Sequence, residues 1–332
     1  MNLIDKDKTE RLVRRAATNY RVTRMYAQYL ERYPDIIKPE MVAALTEGGD
    51  ISPTEALVAI LSELFGLDFD KREDREIIVD YLTPSVRILD ADKYRNDPYY
   101  KNVRIENIRD GRWELKQEFY PAYRGVIAGD IIFDHGFTEI PPLGFFEERF
   151  DFPAVLEDGN EWMTLTPVDL DTSVEAIEAA RGKVVTFGLG LGYYAYMVSN
   201  KPEVESITVV EKSEKVISLF KKHILPQFPN RDKIHIVCED AFKYAECVMP
   251  GEKYDVAFVD TWRDASDGEP MYVRMKALEH LSQGTKFLYW IENFLVSRHR
   301  AIKLEELLEK IDSSAPDAPK SYGELIERYT QI

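Results

Sequence analysis

Four carboxylates, Glu211, Asp240, Asp260 and Glu292, stand at the ends of four successive short apolar runs. Ahead of them lies Phe187-Gly188-Leu189-Gly190-Leu191-Gly192, which follows the β-branched run Lys183-Val184-Val185-Thr186. Glycines let a backbone approach a ligand closely, and a helix read over Tyr193–Ser199 offers N–H groups with no intrahelical partner. A strand, a glycine turn and a helix start make a nucleotide-type cradle. An acid ending a buried strand has no packing reason to be there, so Glu211 reads as a ligand group. Carboxylates beside a crevice accept hydrogen bonds through two oxygens or take up a proton. Asp260 and Asp264 are best placed to act as base, with Glu292 third; for Asp260 a purely ligand-holding role fits equally well. Trp262, Tyr193 and Tyr194 suit stacking on a planar or cationic substrate, or plain packing.

The elements that must position these groups follow a regular alternation. Ser206–Val210 leads to Glu211, Ile234–Cys238 to Glu239-Asp240, Tyr254–Val259 to Asp260, and Thr285–Ile291 to Glu292. Helical patterns separate them over Ser213–Ile224, Ala241–Val248 and Pro270–Leu281. Short apolar runs alternating with helices predict a doubly wound, mostly parallel α/β sheet covered on both faces. Ligands bind such sheets beyond the carboxyl ends of the strands, so these acids are expected to share one crevice.

From Gly182 to Glu292 the chain resembles the class I S-adenosylmethionine-dependent methyltransferases, a Rossmann-like fold. The resemblance implies that Gly188, Gly190 and Gly192 pass under the methionine part of the cofactor and that Glu211 grips the ribose hydroxyls. It also implies that Asp240 meets the adenine amino group, with Ala241 offering its N–H, and that Asp260 sits beside the methionine moiety and substrate. The helix read over Ser173–Ala180, capped by Asp171 or Thr172, is then expected to pack over the pocket, with Thr166-Pro167-Val168-Asp169 near it. One branch looks closer: Val209–Ile217 with Leu225-Pro226, and the acidic segment Asp260–Pro270, are similar to spermidine synthase-type aminopropyltransferases. That family has an aspartate among its later loop glycines, where this chain has Leu189 and Leu191. Gly190-Leu191-Gly192-Tyr193-Tyr194-Ala195, with Glu211 some way on, also fits a dinucleotide dehydrogenase, although little chain follows the fifth strand for a catalytic domain. A non-catalytic cofactor-binding protein stays open as well.

Composition bounds the rest. A chain of 332 residues suits two or three domains, read as a helical module 1–83, a β-rich region 84–170 and the cofactor domain 171–332 with C-terminal helices. In the first, Pro34 ends one long helix, Pro39 opens a second that Gly48-Gly49 closes, Ser52-Pro53-Thr54-Glu55 is a capping box for a third, and Asp70 starts a fourth. This module reads as a lid, a substrate cap or a homodimerisation unit. With 45% hydrophobic residues and no apolar run long enough to span a bilayer, no membrane role is expected. Met1–Glu10 is charged, without a signal-peptide core, and Cys238 and Cys247 are the two cysteines, so a reducing, cytoplasmic setting is expected. The five histidines show no paired spacing, and no metal site is expected. A net charge of −16 disfavours nucleic acid as partner, despite Arg11, Arg14, Arg15, Arg21 and Arg24 on the first helix. With no Asn/Asp-Pro-Pro-Tyr signature, elimination leaves a small-molecule acceptor.

Overall fold

The computed structural model describes residues 5–332; residues 1–4, the start of the charged N-terminal stretch, lie outside the described residues. Two compact units divide the chain, and neither is continuous. One comprises 90–120 and 148–292; the other comprises 1–89, 121–147 and 293–332. This differs from the consecutive blocks 1–83, 84–170 and 171–332, and strand pairing is the reason. Trp113–Tyr120 pairs antiparallel with Phe150–Glu157 in one unit, whereas Leu143–Phe145 pairs parallel with Val86–Ile88 in the other. The β-rich stretch is thus shared out between two cores.

The unit carrying the site is built on a parallel five-stranded sheet. Its elements are α1 (Pro167–Ala179), β1 (Gly182–Phe187), α2 (Tyr193–Ser199), β2 (Val204–Glu211), α3 (Glu214–Leu219), β3 (Ile234–Cys238), α4 (Ala241–Cys247), β4 (Val256–Val259), α5 (Ala265–Lys276) and β5 (Lys286–Tyr289). Strand order is β3-β2-β1-β4-β5, all parallel. The order reverses between β1 and β4, which opens a crevice at their carboxyl ends. Val184, Val185, Phe187, Val209, Val210, Val256, Ala257 and Val259 are all buried, the composition of a sheet covered on both faces.

Two helix starts differ from the sequence reading. α1 begins at Pro167 because Thr166 and Asp169 form a capping box around a proline at the first helical position. α5 begins at Ala265, capped by Asp264 with Asp267, and Pro270 lies inside it instead of opening it. A proline there removes one intrahelical donor, which the strong cap helps offset. After β5, Ile291 takes φ 48 and the chain turns directly into the helix Glu292–Asp312, longer than the expected Arg298–Ile311. Among the described residues no further strand joins the parallel sheet.

The other unit is mainly helical. Lys6–Arg32, Pro39–Thr46 and Pro53–Leu64 fall close to their predicted spans. The Ser52 capping box is formed, with the Ser52 N–H donating to Glu55 Oε2 at 2.7 Å. Val22, Tyr26, Leu57, Leu61, Tyr81 and Phe145 belong to one core. Leu12 packs with Leu304, Leu307, Leu325 and Tyr329 in a second, which draws in the C-terminal helices. The C-terminal helices thus belong with this unit and not with the block 171–332, because an amphipathic stripe buries itself wherever a complementary stripe is folded near it. No helix among the described residues is long and apolar enough to cross a membrane.

Candidate functional site

The glycine turn joins β1 to α2 at the reversal point of the sheet. The Gly188 N–H donates to the Val210 carbonyl at 2.9 Å, and the Asp260 N–H to the Phe187 carbonyl at 2.8 Å. Gly188 has φ 101, and a Cβ there would overlap the Asp260 carbonyl oxygen, so two backbones touch where a side chain would part them. Gly190 has φ 51, and the place of its missing Cβ is taken by the Met163 sulfur. Gly192, left-handed, is the N-cap of α2.

Sequence reasoning missed what braces this turn. Tyr99, fully buried, donates its hydroxyl to the Leu191 carbonyl at 2.6 Å and packs edge-on against Tyr193 and Tyr196. Asp97 caps the short helix Pro98–Asn102 and accepts from the Tyr193 hydroxyl at 3.2 Å. The Asp97-Pro98 pair signals a helix start, but nothing local says which distant turn that helix meets.

Below and beside the turn lies a cleft of about 570 Å³, within the range of small-molecule sites. Gly188, Gly190, Glu211, Asp240, Ala241, Asp260 and Trp262 all line it, so the structure gathers these sequence-predicted residues in one place. Glu211 ends β2 and is buried, with its Oε2 accepting from the Leu189 N–H at 3.2 Å and its Oε1 from the Ser213 N–H at 2.8 Å. Asp240 caps α4, its Oδ1 accepting from the N–H groups of Phe242 and Lys243, each at 3.0 Å. Asp169, in the first turn of α1, also reaches the cleft; its Oδ2 accepts from the Thr166 N–H and hydroxyl. Asp260 sits on the cleft floor, where burial, then Asp169, then Glu211 push its carboxyl up to about 8. Burial likewise raises Asp169 to about 6, against the hydrogen bonds from Thr166.

Other candidates are held elsewhere. Asp264 is exposed and capping α5, its Oδ1 bonded to the Ser266 N–H at 2.6 Å, and it does not line the cleft. Glu292 accepts from the Tyr272 hydroxyl at 2.7 Å and pairs with Lys276 at 3.2 Å, outside the cleft lining. Tyr193 and Tyr194 are buried beneath the turn, lining an inner cavity of about 30 Å³, room for a single water. The Tyr194 hydroxyl donates to Ala176 and its ring lies 4.5 Å from that of Phe258, a packing role. Conversely, Trp290 lines both cavity and cleft, unpredicted from sequence. The left-handed Ile291 beside it turns the chain at that point, and a β-branched residue held there stores on the order of 1–3 kcal/mol. Trp262 and Trp290 both keep a buried indole N–H without a hydrogen-bond partner among the described residues.

Strand order, the glycine turn at the reversal point and the cleft beyond it define a Rossmann-like α/β unit. No family model matches the chain, and no curated protein matches it. Among solved structures, spermidine synthase from Thermotoga maritima overlaps 46% of this chain and 59% of its own, at 18% identity and a TM-score of 0.31. The precorrin 8w decarboxylase of Methanobacterium thermoautotrophicum overlaps 38% of this chain and 63% of its own, at 16% identity and a TM-score of 0.29. The methyltransferase domain of bacterial CtHen1 overlaps 33% of this chain and 54% of its own, at 22% identity and a TM-score of 0.25. The chain spans about three fifths of the length of the solved structures it matches first.

Proposed function

We propose that the cleft binds S-adenosylmethionine and that the protein is a methyltransferase acting on a small molecule. The observation that carries this reading is Glu211. Each of its oxygens accepts one backbone N–H, which fixes the carboxylate and leaves each with acceptor capacity toward the cleft. A rigid two-oxygen acceptor beside a glycine turn fits a pair of vicinal hydroxyls such as a ribose presents. Asp240 and Ala241, at the start of α4, stand where a base edge would lie, and the backbone laid bare by Gly188 and Gly190 suits the rest of an adenosyl ligand.

Bound there, the cofactor would supply an electrophilic methyl group. The protein's own part is to orient and to exclude water, which is most of what an in-line displacement requires. Asp260 is the residue placed to receive a proton from the acceptor at its carboxylate. A carboxyl raised to about 8 in the ligand-free cleft holds a proton more strongly than an ordinary aspartate, which makes its carboxylate the stronger base.

A second reading, aminopropyl transfer to a polyamine, is favoured by one feature. Glu157, Glu161, Asp169, Glu211, Glu239, Asp240, Asp260 and Asp267 line the cleft against Lys212 and Arg263 alone. Calorimetry with S-adenosylmethionine, its decarboxylated form, S-adenosylhomocysteine and NAD separates the choices. Tighter binding of S-adenosylmethionine than of the decarboxylated form is expected. The reverse order, with putrescine or spermidine converted, selects the aminopropyl reading, and NAD binding alone overturns both.

A further inference from the structure

Three carboxyl groups reach the cleft from three separate elements: Asp169 from α1, Glu211 from the end of β2 and Asp260 from the end of β4. Every hydrogen bond they accept comes from a neutral donor. Asp169 takes the Thr166 N–H at 2.7 Å and hydroxyl at 2.9 Å, and Glu211 takes the N–H groups of Leu189 and Ser213. Among the described residues the Asp260 carboxyl takes no hydrogen bond, and its charged neighbours of consequence are Asp169 and Glu211 themselves.

The surrounding charges do not supply a counter-ion. Glu157 pairs with Arg112, Glu239 with Lys243, and Asp267 with Arg263, while Asp240 caps α4 and Glu161 adds another negative charge. Lys212 lines the rim and forms no ion pair with any of the three carboxyls. Trp262, 5% exposed, leaves its indole Nε1 without a partner in the same wall, a second mark of a site completed by a ligand.

Buried carboxyls such as Asp260 and Asp169, set beside one another, resist ionising together without a cation. The geometry points to a charge gate: Asp169 and Asp260 together read the fixed positive charge of a sulfonium, which enters as a proton leaves. The inference rests on the cofactor reading above and adds a consequence to it. The proton passes from the carboxyl cluster to solvent as the sulfonium takes its place as counter-ion. After methyl transfer the sulfur is a neutral thioether, the cluster takes up the proton that the acceptor gives up, and the product loses its electrostatic hold. Asp260, raised to about 8, fits a group that keeps a proton in the ligand-free cleft, with Asp169, raised to about 6, as the charged neighbour that helps hold it.

Calorimetry of the full chain in two buffers of different ionisation enthalpy, between pH 6 and 8, tests this with S-adenosylmethionine and S-adenosylhomocysteine. Proton release is expected with the first and none with the second. Affinity for S-adenosylmethionine is expected to rise by up to about tenfold per pH unit, while that for S-adenosylhomocysteine stays flat. Asp260→Asn should abolish the proton release and bring the two affinities close together, chiefly by weakening S-adenosylmethionine. Should that variant not fold, Asp169→Asn is read in the same way, with a reduced selectivity ratio expected. Equal, pH-independent affinities without proton release would overturn the gate and leave the cofactor reading intact. Binding of neither adenosyl ligand by the unaltered protein would overturn the cofactor reading and the gate with it.

Discussion

Both oxygens of Glu211 are engaged by backbone donors, so substitution there acts on two quantities at once. Glu211→Ala leaves the Leu189 and Ser213 N–H groups without their acceptor, which costs on the order of 1–3 kcal/mol of stability. On the proposed reading it also removes the acceptors for the ribose hydroxyls, weakening S-adenosylmethionine binding by roughly 1.5–3 kcal/mol. Thermal unfolding and titration calorimetry should therefore both move; a change in neither contradicts the placement. Asp260 differs in sign. Folding raises its carboxyl from 3.8 to about 8, so the folded protein holds that proton more tightly than the unfolded chain. The corresponding stability is fully present below the unfolded value and is lost as pH rises through 8. Asp260→Asn, which cannot ionise, should match the parent near pH 4 and exceed it at pH 8 by on the order of 1–3 kcal/mol. Denaturant midpoints that fall in parallel for both proteins would refute this.

The glycine turn shows how elements hold a site that no single residue could. Gly188→Ala drives a Cβ into the Asp260 carbonyl, and backbone cannot swing aside as a side chain can. A loss of about 3 kcal/mol is expected, together with loss of the S-adenosylmethionine binding proposed above. Tyr99→Phe removes one buried hydrogen bond to Leu191 from behind the turn. It should cost about 0.5–1.5 kcal/mol, seen in urea titration as an earlier midpoint with unchanged slope. The strands themselves were legible, because runs such as Ile234–Cys238 are apolar and β-branched between clear breaks. Glu211, Asp240 and Asp260 were legible because they end such runs. Glu292 follows the same rule yet turns away to meet Tyr272 and Lys276, while Asp264, further along the loop after β4, caps α5. Whether an acid at a strand end faces the cleft depends on the next backbone turn, which composition does not encode. Tyr99 was illegible for a similar reason, since its partner lies ninety-two residues away. Trp290 was illegible because a left-handed isoleucine beside it contradicts every local preference.

At the scale of the molecule, the unit made of 1–89, 121–147 and 293–332 depends on segments that precede and follow 148–292 in the sequence. Removing residues 293–332 takes away Leu304, Leu307, Leu325 and Tyr329 and strips the partners from Leu12. Limited proteolysis of such a truncation should cut the helix Lys6–Arg32 early while 148–292 resists. Equal resistance throughout would show that the C-terminal helices are dispensable for that core. The same interleaving sets an order of events during synthesis. The parallel sheet has all its strands once Tyr289 has emerged, whereas the helix Lys6–Arg32, made earlier, waits for residues 293–332, made later. Throughout that interval Leu12 and its neighbours have no native cover, and a nascent chain in this state is a natural client for chaperones.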